Sequence, residues 1–239
     1  DFRKKDVGVR LKSFIEDTRL AGIILAAPLS NMPKIVRAIE STGTPCVRLS
    51  PGNESGKYFS VSTNDREVCA EMTRYLAGLG HTRIAFITGD PDHKAVAIRF
   101  LGYQDGLKDS GLTFSEKLVA AGDNSFGSGE ACAEKLLKRK NPPTAIFAAN
   151  DDMAAGVIRV AKRLGINVPG QLSVAGFDDI ALARQIEPAL TTIRQPLVEM
   201  AEEAARMLST GNGEDAAAAR HEQVPALIKI RESTGPAPH

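Results

Sequence analysis

The chain of 239 residues is short of several things, and each shortage excludes a class of protein. It has three cysteines, Cys46, Cys69 and Cys132, which are odd in number and far apart. They argue against a disulfide framework and for a reducing compartment. Thirty lysines and arginines stand against 29 aspartates and glutamates, so the formal charge is only +1. Phosphate affinity needs clustered, uncompensated cations, which makes these residues poor nucleic-acid binders by themselves. No apolar run reaches the ~18 residues of a membrane span. The opening DFRKKDVGVR is charged and lacks the apolar core of a signal peptide, and the cysteine usage makes a cytoplasmic setting the expectation. No His/Cys group has zinc spacing, no G-x-S-x-G elbow or P-loop occurs, and no dinucleotide fingerprint is present. Neither a metal nor a cofactor is expected.

What is present is ordinary globular composition, with 43% hydrophobic and 25% charged residues, arranged as strand alternating with helix. Residues 7–16 put Val7, Leu11, Phe14 and Ile15 at helical spacing. GIILAA (22–27) is a continuous apolar run, the pattern of a strand buried on both faces. Pro33 opens a helix that runs to about Gly43, and PCVRL (45–49) is the next strand. Asn64 with Glu67 fits a capping box for a helix carrying Val68, Met72, Leu76 and Leu79. Strands then follow at 84–88, 117–122, 144–149, 172–177, 190–194 and 224–232. Helices are expected at 94–109, 128–139, 152–164 and 197–209, with a short one after residue 178 and Gly165 stopping the third. Residues 209–220 (STGNGEDAAAAR) read as an exposed loop. The alternation implies an α/β fold with doubly wound parallel sheets.

In open α/β sheets ligands bind beyond the carboxyl ends of the strands, so polar residues at strand exits are informative. Asn150 and Asp151 follow TAIFAA, Asp178 and Asp179 follow SVAGF, and Gln195 follows LTTIR. Asp65 lies a few residues after Lys57–Val61, and Arg99 sits in the helix after IAFIT. Amides, carboxylates and a guanidinium can exchange directional hydrogen bonds with a polyol. Helix capping competes as the reading of Asn64 and Asp151. For Asp178 it competes less well, because no long amphipathic helix follows. Adjacent acid pairs rarely face one point, which weighs against hydrolysis by Asp151–Asp152 or Asp178–Asp179. His81 is expected to pack at a junction between lobes, His93 to sit in a solvated loop, and Cys69 and Cys132 to be buried and inert.

LGHTRIAFITG, RFLGYQDGL, PTAIFAANDDMAAGVIRVAKRLGINVPGQLSVAGFDD and PALTTIRQP together resemble the effector-binding core of LacI/GalR-family transcriptional regulators, from about residue 18 onward. The resemblance implies a periplasmic-binding-protein-like fold of two lobes joined by three crossings, near His81–Thr82, Arg194–Gln195 and Val224–Ala226. It would divide the chain into 1–81 with 194–222, and 82–193 with 223–239. It assigns Arg99, Asn150 and Asp178 to ligand contact from the second lobe and Asp65 to the first lobe, with Gln195 beside the cleft. Where many members carry an aromatic after Gly122–Asp123, this chain has Asn124. Either Phe126 supplies the stacking ring or the pocket is more polar. The family's helix-turn-helix head and first β-α-β elements are not among these residues, so a fragment of a longer protein is expected. The implied function is a sensor, not an enzyme. It binds a small polar effector, a sugar first, and as a homodimer shifts operator binding through the absent head. A periplasmic sugar-binding protein is the main rival, and a glycoside hydrolase fragment the second.

Overall fold

A computed structural model describes residues 6–52, 58–210 and 221–238. The chain divides into two compact units. The first comprises Asp1–Thr63, Asp92–Ala95 and Pro196–Pro225. The second comprises Asn64–Pro91, Val96–Gln195 and Ala226–His239.

The first unit holds helices α1 (Val7–Thr18), α2 (Pro33–Glu40) and α8 (Leu197–Thr210), and strands β1 (Ile23–Leu25), β2 (Cys46–Leu49), β3 (Phe59–Ser62) and β9 (His221–Gln223). The strands form one parallel sheet in the order β1-β2-β3-β9. Because side chains alternate along a strand, the sheet has two separate cores. Val47, Val61 and the partly buried Leu49 and Phe59 pack with Met200, Ala204 and Met207 of α8. Leu25, Ile23 and Cys46 point the other way and meet Ile15 of α1 and Ile35 and Ile39 of α2. Of the apolar positions expected on α1, Ile15 is buried and Phe14 is exposed. Helix α2 stops at Glu40, three residues before Gly43, where the Ser41 and Thr42 hydroxyls donate back to the Ala38 and Ile39 carbonyls. The sequence reading named Lys57–Val61 as the segment before Asp65 and residues 209–220 as a loop. Lys57 and 211–220 lie outside the described residues, and Ser209 and Thr210 end α8.

The second unit has α3 (Asp65–Gly78), β4 (Ile84–Thr88), α4 (Ala95–Asp109), β5 (Val119–Ala121), α5 (Phe126–Leu137), β6 (Ala145–Ala148), α6 (Asp151–Arg163), β7 (Ser173–Asp178), α7 (Ala181–Gln185), β8 (Thr191–Arg194) and β10 (Leu227–Lys229). The sheet order is β10-β8-β7-β6-β4-β5, parallel except for β10, which runs antiparallel on the edge. Strands β4, β6 and β7 are buried almost throughout, as strands covered on both faces should be. Phe86 anchors the core, stacked on Tyr103 at 5.0 Å and edge-on to Phe147 at 5.3 Å. Helix α6 ends as its sequence suggests. Gly165 adopts φ +70°, a left-handed value suited to glycine, and the Ile166 N–H closes on the Ala161 carbonyl.

Three expectations are corrected here. Helix α3 belongs to the second unit, so the first division falls at Thr63–Asn64 and not at His81–Thr82. The reason is packing: Val68, Cys69, Met72 and Leu76 are part of the second unit's core. His81 is buried inside that unit rather than at a junction, its ring bonded to Thr144, Ser173 and the Gly235 carbonyl. Burial pushes its pKa below the usual histidine value. The expected strand 224–232 shrinks to β10 (Leu227–Lys229), because the chain leaves one sheet after β9 (His221–Gln223) and crosses to the other before pairing again. Pro225, which has no N–H to give a ladder, stands at the change.

Helices α5 and α6 cross closely where both contain glycine. A Cβ on Gly156 would lie 2.4 Å from the Phe126 carbonyl oxygen, and one on Gly129 would lie 2.3 Å from that of Met153. Backbone cannot yield as a side-chain tip can. Gly156→Ala is therefore expected to destabilise the protein by about 1–3 kcal/mol despite alanine's better helix propensity. Urea unfolding measures this, and an unchanged or raised midpoint would contradict the crossing described.

Candidate functional site

The polar residues of interest meet at one end of the second sheet. In a parallel sheet all carboxyl ends lie on the same side, and a helix leading into a strand starts on that side. Asn124 therefore follows β5, Asn150 follows β6, Asp178 ends β7 and Gln195 follows β8. Asp65 opens α3, the helix that leads into β4.

Arg99 is the centre. It is 9% exposed, and Asp65 is 6% exposed. Arg99 Nε donates to Asp65 Oδ2 at 3.0 Å, and Nη1 donates to the Ala149 carbonyl at 2.8 Å. Nη1 also lies 3.7 Å from Asp178 Oδ1. The guanidinium carbon sits 3.5 Å from the centroid of the Phe177 ring, so the plane rests on an aromatic face. Burial opposes the Arg99 charge, but Asp65 and Asp178 outweigh it and raise its pKa. Gln195 Nε2 donates to Asp178 Oδ1. Burial pushes the Asp178 carboxyl above the usual range, Arg99 and Gln195 pull it down, and Asp65 and Asp152 add to the rise.

These contacts leave a set of open groups. Among the described residues, no protein partner is bonded to Arg99 Nη2, Asp178 Oδ2 or Gln195 Oε1. One unused pair of donors thus stands beside unused carboxylate and amide acceptors.

The backbone that presents Asp178 is strained. Asp178 has φ +116° and Asp179 φ +58°, two consecutive non-glycine residues in the left-handed half of the map. Such residues carry of order 1–3 kcal/mol each and persist only when surroundings hold them. Arg231 Nη2 ties Asp179, its Nη1 ties the Leu190 carbonyl at 2.7 Å, and Asp151 ties the next residue through the Ile180 N–H at 2.9 Å.

The other expected residues divide. Asn150 is the N-cap of α6: its Oδ1 accepts from the Met153 N–H at 3.0 Å, and its Nδ2 donates to the Asn124 carbonyl at 2.9 Å. One Nδ2 hydrogen is left over. Capping thus falls to Asn150, and the reading of Asp151 as the cap is corrected. Asn124 is left-handed at φ +70°, with its side chain laid against Gly89, where a Cβ would meet Oδ1 at 1.9 Å. Phe126 opens α5 and turns its ring to Arg159, 5.7 Å from the guanidinium. It does not stack in the Arg99 cluster, because that cation on α6 takes its face. Asp65 is corrected as well. It pairs with Arg99 inside the second unit and does not belong to the first. Asn64 makes no capping bond, since its Oδ1 accepts instead from the distant Ala226 N–H at 2.8 Å.

Four participants escaped the sequence reading: the Phe177 ring, the Ala149 carbonyl, Thr192 and Arg231. Phe177 was visible as the residue before two acids at a strand end. Arg231 was not, because it reaches Asp179 across an antiparallel edge 52 positions away. Among the described residues no group of three His, Cys, Asp or Glu is placed to hold a metal ion. No described helix is long and apolar enough to cross a membrane.

The profile of the periplasmic binding protein-like domain matches residues 73–234. Catabolite control protein A of Priestia megaterium is 31% identical over 202 residues, 83% of this chain and 60% of that protein. The HTH-type transcriptional regulator DegA of Bacillus subtilis is 33% identical over 226 residues, 94% of this chain and 67% of that protein. The chain thus spans three-fifths to two-thirds of the length of these two curated relatives. Among solved structures, a transcriptional regulator CelR–cellobiose complex superposes with a TM-score of 0.89 at 29% identity, covering 97% of this chain and 71% of that one. A LacI family transcriptional regulator from Enterococcus faecium with bound ribose gives 0.85 at 25% identity, covering 97% and 85%. By domain profile, by relatives and by fold, the chain belongs to the periplasmic binding protein-like domain family, as an effector domain of LacI/GalR-type transcriptional regulators.

Proposed function

We propose that this domain senses a small polyhydroxy ligand, a sugar or sugar derivative, through Arg99, Asp178, Gln195 and Asn150. The observation that carries the reading is the open set at the strand ends: Arg99 Nη2 as donor, Asp178 Oδ2 and Gln195 Oε1 as acceptors, over a guanidinium already fixed by Asp65, Ala149 and Phe177. An arginine held on three sides loses little freedom on meeting a ligand, so its remaining hydrogen bonds are cheap to form. A vicinal diol can give two hydrogens to the carboxylate while its oxygens accept from the guanidinium. An apolar ligand would leave these groups buried and unsatisfied, at about 1–3 kcal/mol each. The bound sugars of two structural relatives, cellobiose and ribose, support the class.

The wider part of the proposal concerns the whole protein. A ligand that binds one conformation of the protein better than another shifts the balance between them, which is how a binding event becomes a signal. In a cytoplasmic homodimer carrying a DNA-binding head, that shift changes operator affinity. The names of the relatives, HTH-type regulators, support this part.

Thermal-shift screening against mono- and disaccharides, cellobiose and ribose among them, tests the reading. A sugar at 100 times its dissociation constant stabilises the protein by ~2.7 kcal/mol. Asp178→Asn is expected to abolish that shift while leaving the ligand-free transition within about 3 °C of the parent. A variant that keeps the full shift, or whose ligand-free transition collapses, removes Asp178 from the site.

A further inference from the structure

Asp151 touches no solvent, being 0% exposed, and so it cannot meet a ligand. Its position is nevertheless specified from three sides. Oδ1 accepts the Thr192 hydroxyl of β8, and Oδ2 accepts the Ile180 N–H at 2.9 Å, just past the strained pair Asp178–Asp179. Strand β7 makes room for it with a glycine: a Cβ on Gly176 would stand 2.4 Å from Asp151 Oδ1. Glycine inside a buried strand weakens that strand and is found where something must approach closely. Here the thing that approaches is a carboxylate.

The turn needs such a hold. Its two left-handed residues are not glycine, and of the side-chain ties on residues 178–180, only the one to Ile180 comes from a group fully sealed from solvent. Released, the backbone at Asp178 relaxes toward ordinary φ values, and the carboxylate swings away from Arg99 and Gln195. Arg99 is anchored independently by Asp65, Ala149 and Phe177, so the carboxylate, and with it the Gln195 amide bonded to it, loses its aim.

We propose that Asp151 is a positioning residue for ligand recognition, holding the 178–180 turn in the geometry that aims Asp178 into the site. The proposal rests on the reading of Asp178 as a ligand acceptor.

Two measurements on the whole chain separate the proposal from that reading. The first is amide hydrogen exchange at Ile180, which needs no ligand. Asp151→Ala is expected to speed it by about tenfold or more, as a local opening made easier. Asp151→Asn is expected to stay within about threefold, since its amide oxygen can take the Ile180 N–H while its NH₂ donates to the Thr192 oxygen. The second is titration with whichever sugar of the cellobiose- and ribose-containing panel stabilises the parent. Asp151→Ala is expected to weaken binding about tenfold or more, and Asp151→Asn to restore it, because a site displaced by an ångström loses function. Gly176→Ala pushes the carboxyl aside without removing it. It stands in if Asp151→Ala does not fold, and the same two losses are expected of it. Unchanged exchange at Ile180 in both disruptive variants overturns the proposal, as does faster exchange with undiminished sugar binding. If no sugar binds the parent, the functional reading fails, and the exchange data still decide whether Asp151 holds the turn.

Discussion

Arg99→Ala is expected to destabilise the second unit by about 3–5 kcal/mol, the usual result of removing one partner from a buried ion pair. Asp65 and Arg99 are both nearly inaccessible to water, so the variant removes the cation paired with a buried carboxylate and the donor to the Ala149 carbonyl together. The loss comes from what is left behind, not from the attraction itself. Asp65→Ala combined with Arg99→Ala is therefore expected to recover a substantial part of it, and the double-mutant cycle measures that part. Arg99→Lys is expected to fail as a rescue. One ammonium cannot take Asp65 and Ala149 in the fork geometry, nor lie flat on Phe177. Urea denaturation of the parent and the four variants is sufficient. An Arg99→Ala loss below about 1 kcal/mol would mean that water already reaches Asp65, and that the buried cluster described above is wrong.

The second large effect is a dependence of stability on pH. Burial pushes the Asp151 carboxyl up to about 7, with Asp178 and Asp179 adding to the rise and the Thr192 hydroxyl and Ile180 N–H opposing it. The unfolded chain releases the same proton near ~3.9. Between those values the folded state binds more protons than the unfolded one, so stability falls as pH rises. The contribution is fully present below about pH 4 and is gone above about pH 7, a difference of roughly 4 kcal/mol at 1.36 kcal/mol per unit. Asp178, also raised, acts in the same direction. The exposed carboxylates Asp105, Asp123 and Glu134 are lowered by hydrogen bonds to Arg66, Ser125 and Lys138 and act oppositely. The parent alone therefore gives a composite curve. Subtracting Asp151→Asn isolates the one group, and the variant is expected to gain about 2–3 kcal/mol on the parent between pH 5 and pH 8. A gap that stays constant over that range would show that Asp151 ionises normally.

That acid illustrates where sequence reading stops. Asp151 stands in ANDDM, and capping was the natural reading of an Asp before an apolar helix. The cap is its neighbour Asn150, and Asp151 turns inward to Thr192 and Ile180. Nothing local separates these outcomes, because both residues are good caps. The choice is made by Gly176, which leaves space in β7 for one carboxylate. Asp65 is a second instance. Its place at a helix start was legible, but its unit was not. Helix α3 carries an apolar face that either core could have taken, and it packs with Phe86 and Tyr103.

The sequence by itself determined the alternation of strands and helices and the gathering of Asn150, Asp178 and Gln195 at one edge. Those follow from hydrophobic periodicity and from the rule that parallel strands end on the same side. Only the tertiary structure decided that Asp65 joins Arg99, that Phe177 lies beneath it, that Phe126 turns to Arg159, and that Arg231 and Asp151 brace the turn at Asp178. The physical reason is distance along the chain. Periodicity reports which face of an element is buried, whereas ion pairs and buried hydrogen bonds between residues 30 to 50 positions apart depend on how helices and strands seat against one another.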